Sequence, residues 1–309
     1  MEEKLFTVLV TGSNGLLGQK IIYALLKKDG VRCISTSRGS NRMKTMDGYI
    51  YESLELSDRN AIQEIFIKYL PDVVINTAAM TNVDACELNI EEAYKMNVTT
   101  VEYLIEACEL NSTHLIHLST DFVFNGEKGP YIETDLTDPL SYYAQTKLDA
   151  EKKIQSSKIA AAILRTIIIY GVVDDNSRSN VVLWAYNSLK NKKSITVIND
   201  QFRSPTLAED LADACVSAAL KRATGIYHVS GREVMNILDI VKITAGFFNL
   251  DQSYIKSVSS EELKQPAKRP PVTGFIITKA INDLDFQPHT FLEGLEKVKN
   301  QLKLFSQEN

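Results

Sequence analysis

A chain of 309 residues with 44% apolar content can bury one large core, or a large and a small one, in the manner of an ordinary soluble globular protein. Its formal charge of −5, with no run of Lys or Arg, argues against non-specific nucleic-acid binding. The longest apolar stretch, Ile159 to Val173, is broken by Arg165 and is shorter than the ~20 residues of a membrane helix, so no membrane partner is expected.

Met1-Glu2-Glu3-Lys4 leads straight into the first apolar run with no signal-peptide pattern, which points to the cytoplasm. From there to about Gly171, strand-like and helix-like pieces alternate as βαβ units with a parallel sheet do. Strands are predicted at Phe6–Val10, Arg32–Thr36, Asp72–Thr77, His114–Ser119 and Ala162–Ile169. Helices are predicted at Leu16–Lys28, Asp58–Tyr69, Glu91–Glu109 and Ser141–Gln155, with Ser57 as N-cap of the second and Pro71 closing it. Beyond Gly171 come a polar loop, Asp174 to Ser179, a helix at Leu207–Lys221, a strand at Gly225–Ser230 and a helix at Met235–Phe248. The expected fold class is α/β: a Rossmann-type doubly wound parallel sheet (1–171) with a smaller, mixed C-terminal substrate lobe (172–309), of which about 207–248 packs back on the sheet.

Cys33, Cys86, Cys108 and Cys215 have no Cys-x-x-Cys spacing and read as reduced interior thiols. His114 and His117, three apart in a strand, point to opposite faces, and no metal site is assigned.

Val8-Leu9-Val10-Thr11-Gly12-Ser13-Asn14-Gly15-Leu16-Leu17-Gly18 reads as a buried strand, a glycine turn and a helix start. Gly12, Gly15 and Gly18, with Asn14 and Leu16 between them, would let backbone approach a pyrophosphate at a helix N-terminus. At the end of the next strand, Ser35-Thr36-Ser37-Arg38-Gly39-Ser40-Asn41-Arg42 offers hydroxyls and two arginines but no carboxylate. That set suits a ribose 2′-phosphate, so NADP(H) is favoured, with NAD(H) allowed and Arg38 as the main contact.

The chemistry is carried by Ser119-Thr120-Asp121-Phe122-Val123-Phe124-Asn125-Gly126 and by Tyr143-Ala144-Gln145-Thr146-Lys147. A second Tyr-x-x-x-Lys, Tyr23 to Lys27, lies in the first helix among Ile21, Ile22, Leu25 and Leu26 and reads as packing. Residues four apart share a helix face, so the Tyr143 phenol and Lys147 ammonium converge on one site. The cation is expected to lower the phenol from its usual ~10, making Tyr143 a general acid. Thr120, at the carboxyl end of its strand, would hold the substrate oxygen. Together these groups move a proton and a hydride, as a carbonyl reductase must.

With these blocks, and with Asn76-Thr77-Ala78-Ala79-Met80-Thr81-Asn82-Val83-Asp84-Ala85-Cys86-Glu87 and Asp200-Gln201-Phe202-Arg203-Ser204-Pro205-Thr206, nearly the whole chain resembles the extended short-chain dehydrogenase/reductases. Within that superfamily it resembles the dTDP-4-dehydrorhamnose reductase family. The resemblance implies a catalytic trio Thr120, Tyr143 and Lys147, a sugar pocket of Thr81, Val83, Asp121 and Phe122, and Ala78, Ala79 and Asn97 along the cofactor. It implies reduction of the 4-keto group of a nucleotide-linked keto sugar, the last step toward dTDP-L-rhamnose. Phe122 stands where that family often has Tyr, and Arg203 where it often has Gly. Some members bridge a homodimer through a magnesium bound near the first helix, where this chain has Lys20. The chain also resembles the regulatory β subunit of methionine adenosyltransferase, which works by binding a partner enzyme, and the superfamily includes epimerases and dehydratases. Arg269, assisted by Arg203 or Lys268 beside proline-fixed loops, is expected to bind the sugar-nucleotide diphosphate.

Overall fold

The structure, a computed structural model, describes residues 5–175 and 179–307; residues 176–178 of the expected polar loop lie outside the described residues. In chain order it begins β1 (Phe6–Thr11), α1 (Leu16–Leu25), β2 (Val31–Ser37), β3 (Ile50–Ser53), α2 (Arg59–Tyr69) and β4 (Val73–Asn76). Then follow α3 (Val83–Leu88), α4 (Ile90–Tyr94), one π-helical turn (Lys95–Thr99), α5 (Thr100–Asn111), β5 (His114–Thr120), a 3₁₀ turn (Asp121–Val123), α6 (Tyr142–Ser156), β6 (Ala161–Thr166) and β7 (Ile169–Tyr170). The C-terminal half carries α7 (Val181–Lys190), β8 (Ile195–Ile198), β9 (Phe202–Arg203), β10 (Thr206–Leu207), α8 (Ala208–Leu220), β11 (Gly225–His228), β12 (Met235–Asn236) and α9 (Ile237–Phe247). It closes with β13 (Ile255–Val258), α10 (Ser260–Leu263), α11 (Thr278–Leu284) and α12 (Phe291–Gln307).

Seven strands form one sheet in the order β11-β6-β5-β4-β1-β2-β3, every neighbouring pair parallel. This is the expected Rossmann-type doubly wound α/β fold. The central strands are continuous apolar runs because both faces are covered. Alternation sorts the side chains: Val8 and Val10 join α1 and α8 in one core cluster, while Leu9 joins α2, α5 and α6 in the other. Strand order reverses between β1 and β4, and that switch point is where such sheets bind their ligands.

Several boundaries differ from the sequence expectation for local reasons. The N-cap of α2 is Asp58, not Ser57, since its Oδ1 accepts from Asn60 N at 3.0 Å and Ala61 N at 3.1 Å. The long strand predicted to Ile169 breaks after Thr166, because Ile168 takes a left-handed backbone (φ +30) and the chain leaves the sheet to pair β7 with β10. The long helix predicted across Glu91–Glu109 contains the π turn.

Ala208–His228 returns to the sheet: α8 packs beside α1, and β11 extends the edge next to β6. α9, by contrast, packs with α7 and α12 in clusters of their own around Tyr170, Val182, Ile240, Phe291 and Leu295. All four cysteines are buried and free. Among the described residues no helix is long and apolar enough to cross a membrane.

Candidate active site

A cleft of about 730 Å³ runs over the carboxyl ends of β1, β2, β4 and β5 and under the C-terminal segments. At one end lies the glycine turn. Gly12 has φ +73, and a Cβ on it would meet Thr77 Oγ1 at 2.7 Å and Ala78 N at 2.8 Å. A Cβ on Gly18 would sit 2.4 Å from Gly12 O, so α1 crosses the loop at a distance only glycine permits. Gly15 caps α1 without a side-chain partner, leaving the helix's first N–H groups to the cleft. Ser13 Oγ beside them is buried with no partner. These unmet donors and this closeness fit a dinucleotide pyrophosphate.

Asn14 clasps the turn to the next loop, donating to Ser40 O at 2.9 Å and accepting from Arg42 N at 3.0 Å. Arg38 and Arg42 reach the cleft rim. A carboxylate distant from Arg38 in sequence lies there too: Glu55, just after β3, is 4.0 Å from Arg38. The four-residue strand preceding Glu55 is short and half-exposed, and so gave little periodic signal.

At the chemical end, β5 delivers Thr120, whose Oγ1 accepts from Phe122 N at 3.2 Å and donates to Asp121 Oδ1 at 3.1 Å. Ser141 caps α6 by accepting from Ala144 N at 3.3 Å, which aims the first turn and Tyr143 at the cleft. Tyr143 meets Phe122 edge to face with centroids 6.2 Å apart. Its phenol is not lowered, as the sequence suggested, but raised: burial dominates, the hydrogen bond with Thr120 opposes it and the Asp121 carboxylate adds to it. The expected cation acts elsewhere. Lys147 Nζ donates to Leu118 O at 2.7 Å and lies 3.3 Å from His117 Nε2, and burial lowers its pKa to about 8, with Glu151 opposing.

Glu151, one turn further along α6, is held by Arg165 of β6 at 2.6 Å and accepts from the Ser119 hydroxyl of β5. Arg165 and Glu151 are almost wholly buried, so this pair fixes α6 against the two strands beneath it. Sequence gave no sign of the pairing, because the partners are 14 residues apart on different elements.

Thr81, Val83, Asp121, Phe122, Ala78, Ala79 and Leu16 all line the cleft. Asn97 does not line it: its amide is spent on Met80 N and O and on the Thr146 hydroxyl, bracing the π turn against α6. Arg203 lines the cleft, yet it is buried and bonded inward. Its donors go to Phe202 O, Pro271 O, Gln201 Oε1 and Pro270 O, and Nε is 3.8 Å from Asp121. It clamps the proline loop with all four Nη hydrogens and so cannot present a bidentate fork to a phosphate, which corrects its expected role. Arg269 reaches the cleft while forming a bidentate pair with Asp84 at 3.0 and 2.8 Å. Lys268 is not part of the lining. Lys20 Nζ lies 3.0 Å from both Glu209 and Gln301, and among the described residues no three His, Cys, Asp or Glu gather as metal ligands.

A model of the RmlD substrate binding domain matches residues 6–304. Methionine adenosyltransferase 2 subunit beta of Bos taurus is 30% identical over 257 residues, covering 82% of this chain and 75% of that protein. A dTDP-4-dehydrorhamnose reductase of Aggregatibacter actinomycetemcomitans is 27% identical over 304 residues, 94% and 98% of the two chains. The crystal structure of dTDP-4-dehydrorhamnose reductase from Bacillus anthracis in complex with NADP shares the fold, with a TM-score of 0.81 at 24% identity over 96% and 99% of the chains. With a family match spanning almost the entire chain and one cleft joining a glycine cradle to a hydroxyl, a phenol and an amine, the chain belongs to the RmlD substrate binding domain family and is an NAD(P)-dependent oxidoreductase.

Proposed function

We propose that the protein reduces the 4-keto group of a nucleotide-linked deoxysugar with NADPH, converting dTDP-4-dehydro-L-rhamnose to dTDP-L-rhamnose in the cytoplasm. The observation that carries this reading is the single cleft that holds the glycine cradle at one end and Thr120, Tyr143 and Lys147 at the other. When bound, the reduced nicotinamide supplies a hydride to the carbonyl carbon. Thr120 orients the carbonyl oxygen, and Tyr143 delivers the proton that makes it a hydroxyl. Thr81, Val83, Asp121 and Phe122 surround the sugar. Arg269, held by Asp84, keeps guanidinium N–H groups for the diphosphate, without Arg203.

Arg38 and Arg42 favour the 2′-phosphate of NADPH over NADH, although Glu55 partly offsets Arg38. The test is turnover: purified protein should consume NADPH only when a nucleotide-linked 4-keto sugar is present, with the dTDP-linked compound preferred across a panel. Absence of turnover with every keto sugar, together with a co-purifying synthetase, would support the second reading, a regulatory subunit of the methionine adenosyltransferase β type. The Bos taurus relative favours that reading. Interconversion of sugars without net NADPH loss would point to an epimerase or dehydratase.

A further inference from the structure

Behind Lys147, on the side away from the cleft, three polar side chains are strung through an otherwise apolar layer. Thr11 of β1 donates to Asn76 Oδ1 at 2.6 Å, and Asn76 Nδ2 lies 3.1 Å from His117 Nδ1. His117 Nε2 in turn lies 3.3 Å from Lys147 Nζ. Thr11, Asn76 and His117 have almost no exposure, Lys147 only 3%, and neither Asn76 nor His117 lines the cleft. A buried chain of this kind must match donors to acceptors throughout, and here the Asn76 amide sets the pattern.

Asn76 Oδ1 also accepts from the backbone N–H of Ala78 at 3.2 Å. Turning the amide over would set its NH₂ against that N–H, so the orientation is fixed. The NH₂ therefore faces His117, whose Nδ1 has to present a lone pair. Neutral His117 then carries its hydrogen on Nε2, and an imidazolium would put an N–H against the Asn76 NH₂. The Nε2–H points at Lys147. An ammonium has three donors and no acceptor, so it meets this group donor to donor, whereas a neutral amine accepts the hydrogen and still donates to Leu118 O.

We infer that the Thr11–Asn76–His117 chain presents a hydrogen-bond donor to Lys147, holding it as a proton-exchanging amine, with His117 as the positioning residue. The inference rests on the reading that Lys147 serves the reaction with Tyr143. An amine poised this way can take up and release the proton that Tyr143 cycles, which a fixed ammonium cannot. The titratable groups that act on Lys147 are His117 from β5 and Glu151 one turn along its own helix, with Tyr143 lining the same cleft one turn before it. Glu151 is already committed to Arg165. Burial acts in the same direction on both partners, lowering His117 well below its usual range and Lys147 to about 8.

Nitrogen NMR on the intact, ligand-free protein tests this without any turnover. His117 should show a protonated Nε2 and a bare Nδ1, and should not titrate between about pH 5 and 9. A hydrogen on Nδ1, or a charged ring near neutrality, would overturn the inference. Asn76→Asp reverses the polarity of the chain: the carboxylate accepts from Nδ1–H, Nε2 becomes an acceptor, and Lys147 should titrate at least about one pH unit higher, read from its side-chain carbon shifts. His117→Gln, which can turn a carbonyl toward Nζ, should move Lys147 the same way. Unchanged Lys147 midpoints in both folded variants would reduce the chain to packing. If neither variant folds, the tautomer in the wild-type protein still decides. A correct tautomer in a protein that turns over no sugar would sink the proposed function and leave only the donor polarity of the chain toward Lys147 standing.

Discussion

Tyr143 combines a raised phenol with a hydroxyl neighbour, Thr120, and its removal should separate chemistry from binding. Tyr143→Phe is expected to lower kcat by roughly 10²–10⁴-fold while NADPH affinity stays near wild type, because the ring still packs on Phe122 and only the transferable proton is lost. Substantial residual turnover in single-turnover kinetics would remove Tyr143 from the reaction. Lys147 makes the opposite trade. Its folded pKa, about 8, lies below the ordinary 10.5, so between those values the unfolded chain holds more protons and stability rises with pH. Below pH 8 the full penalty is present. Lys147→Met should therefore stabilise the ligand-free protein near neutral pH by on the order of 1 kcal/mol, after the loss of the Leu118 O partner is deducted. The gain should fade as pH climbs through the window, and thermal unfolding near pH 7 and near pH 10 checks it. A mutant less stable at both would show that Lys147's hydrogen bonds outweigh its desolvation.

At the scale of elements, the site depends on how closely α1 and α6 approach the sheet. α1 is brought to the loop by Gly18, where an added Cβ would collide with Gly12 O and Ser13 Cα. Gly18→Ala should open the turn and weaken NADPH binding tenfold or more, about 1.4 kcal/mol, in a fluorescence titration; equal affinity would mean the loop can yield. α6 is anchored by Glu151 to Arg165 and Ser119. Glu151→Gln leaves a buried guanidinium without its counter-charge and should cost about 3–5 kcal/mol of unfolding free energy, whereas pairing it with Arg165→Met should recover much of the loss. A single mutant with wild-type denaturant midpoint would show that water already screens Arg165. The helices themselves were legible in sequence from their 3.6-residue spacing. The Arg165–Glu151 clamp was not, since no local pattern encodes a contact between a strand and the helix before it.

Across the whole molecule, the C-terminal segments supply the wall opposite the sheet, and among the described residues Arg269, paired with Asp84, faces the cleft with several guanidinium N–H groups left over. Arg269→Ala should weaken dTDP binding in calorimetry without altering NADPH affinity, and the loss should shrink as added salt screens the contact. Equal dTDP affinity in both proteins would move the diphosphate elsewhere in the lobe. Sequence alone makes Arg203 a candidate partner of Arg269. Both arginines flank a proline loop, and only the packed structure distinguishes one whose donors are consumed by Pro270 O, Pro271 O and Phe202 O from one left partly free.

The sequence by itself determined the class of sheet, the glycine turn and the line-up of Thr120, Tyr143 and Lys147, because each is a short-range property: apolar runs buried on both faces, a turn only glycine tolerates, and two residues four apart on one helix. Tertiary structure decided the electrostatics. Whether Lys147 lowers Tyr143 depends on where Nζ is drawn, and it donates to Leu118 O and lies beside His117 on the strand beneath. Whether Asn97 meets a cofactor depends on a π turn that directs its amide to Met80. Whether the ribose end is purely basic depends on Glu55, carried in by an edge strand 17 residues after Arg38. Hydrogen-bond partners and desolvation are set by groups distant in sequence, and they exist only once the chain has packed.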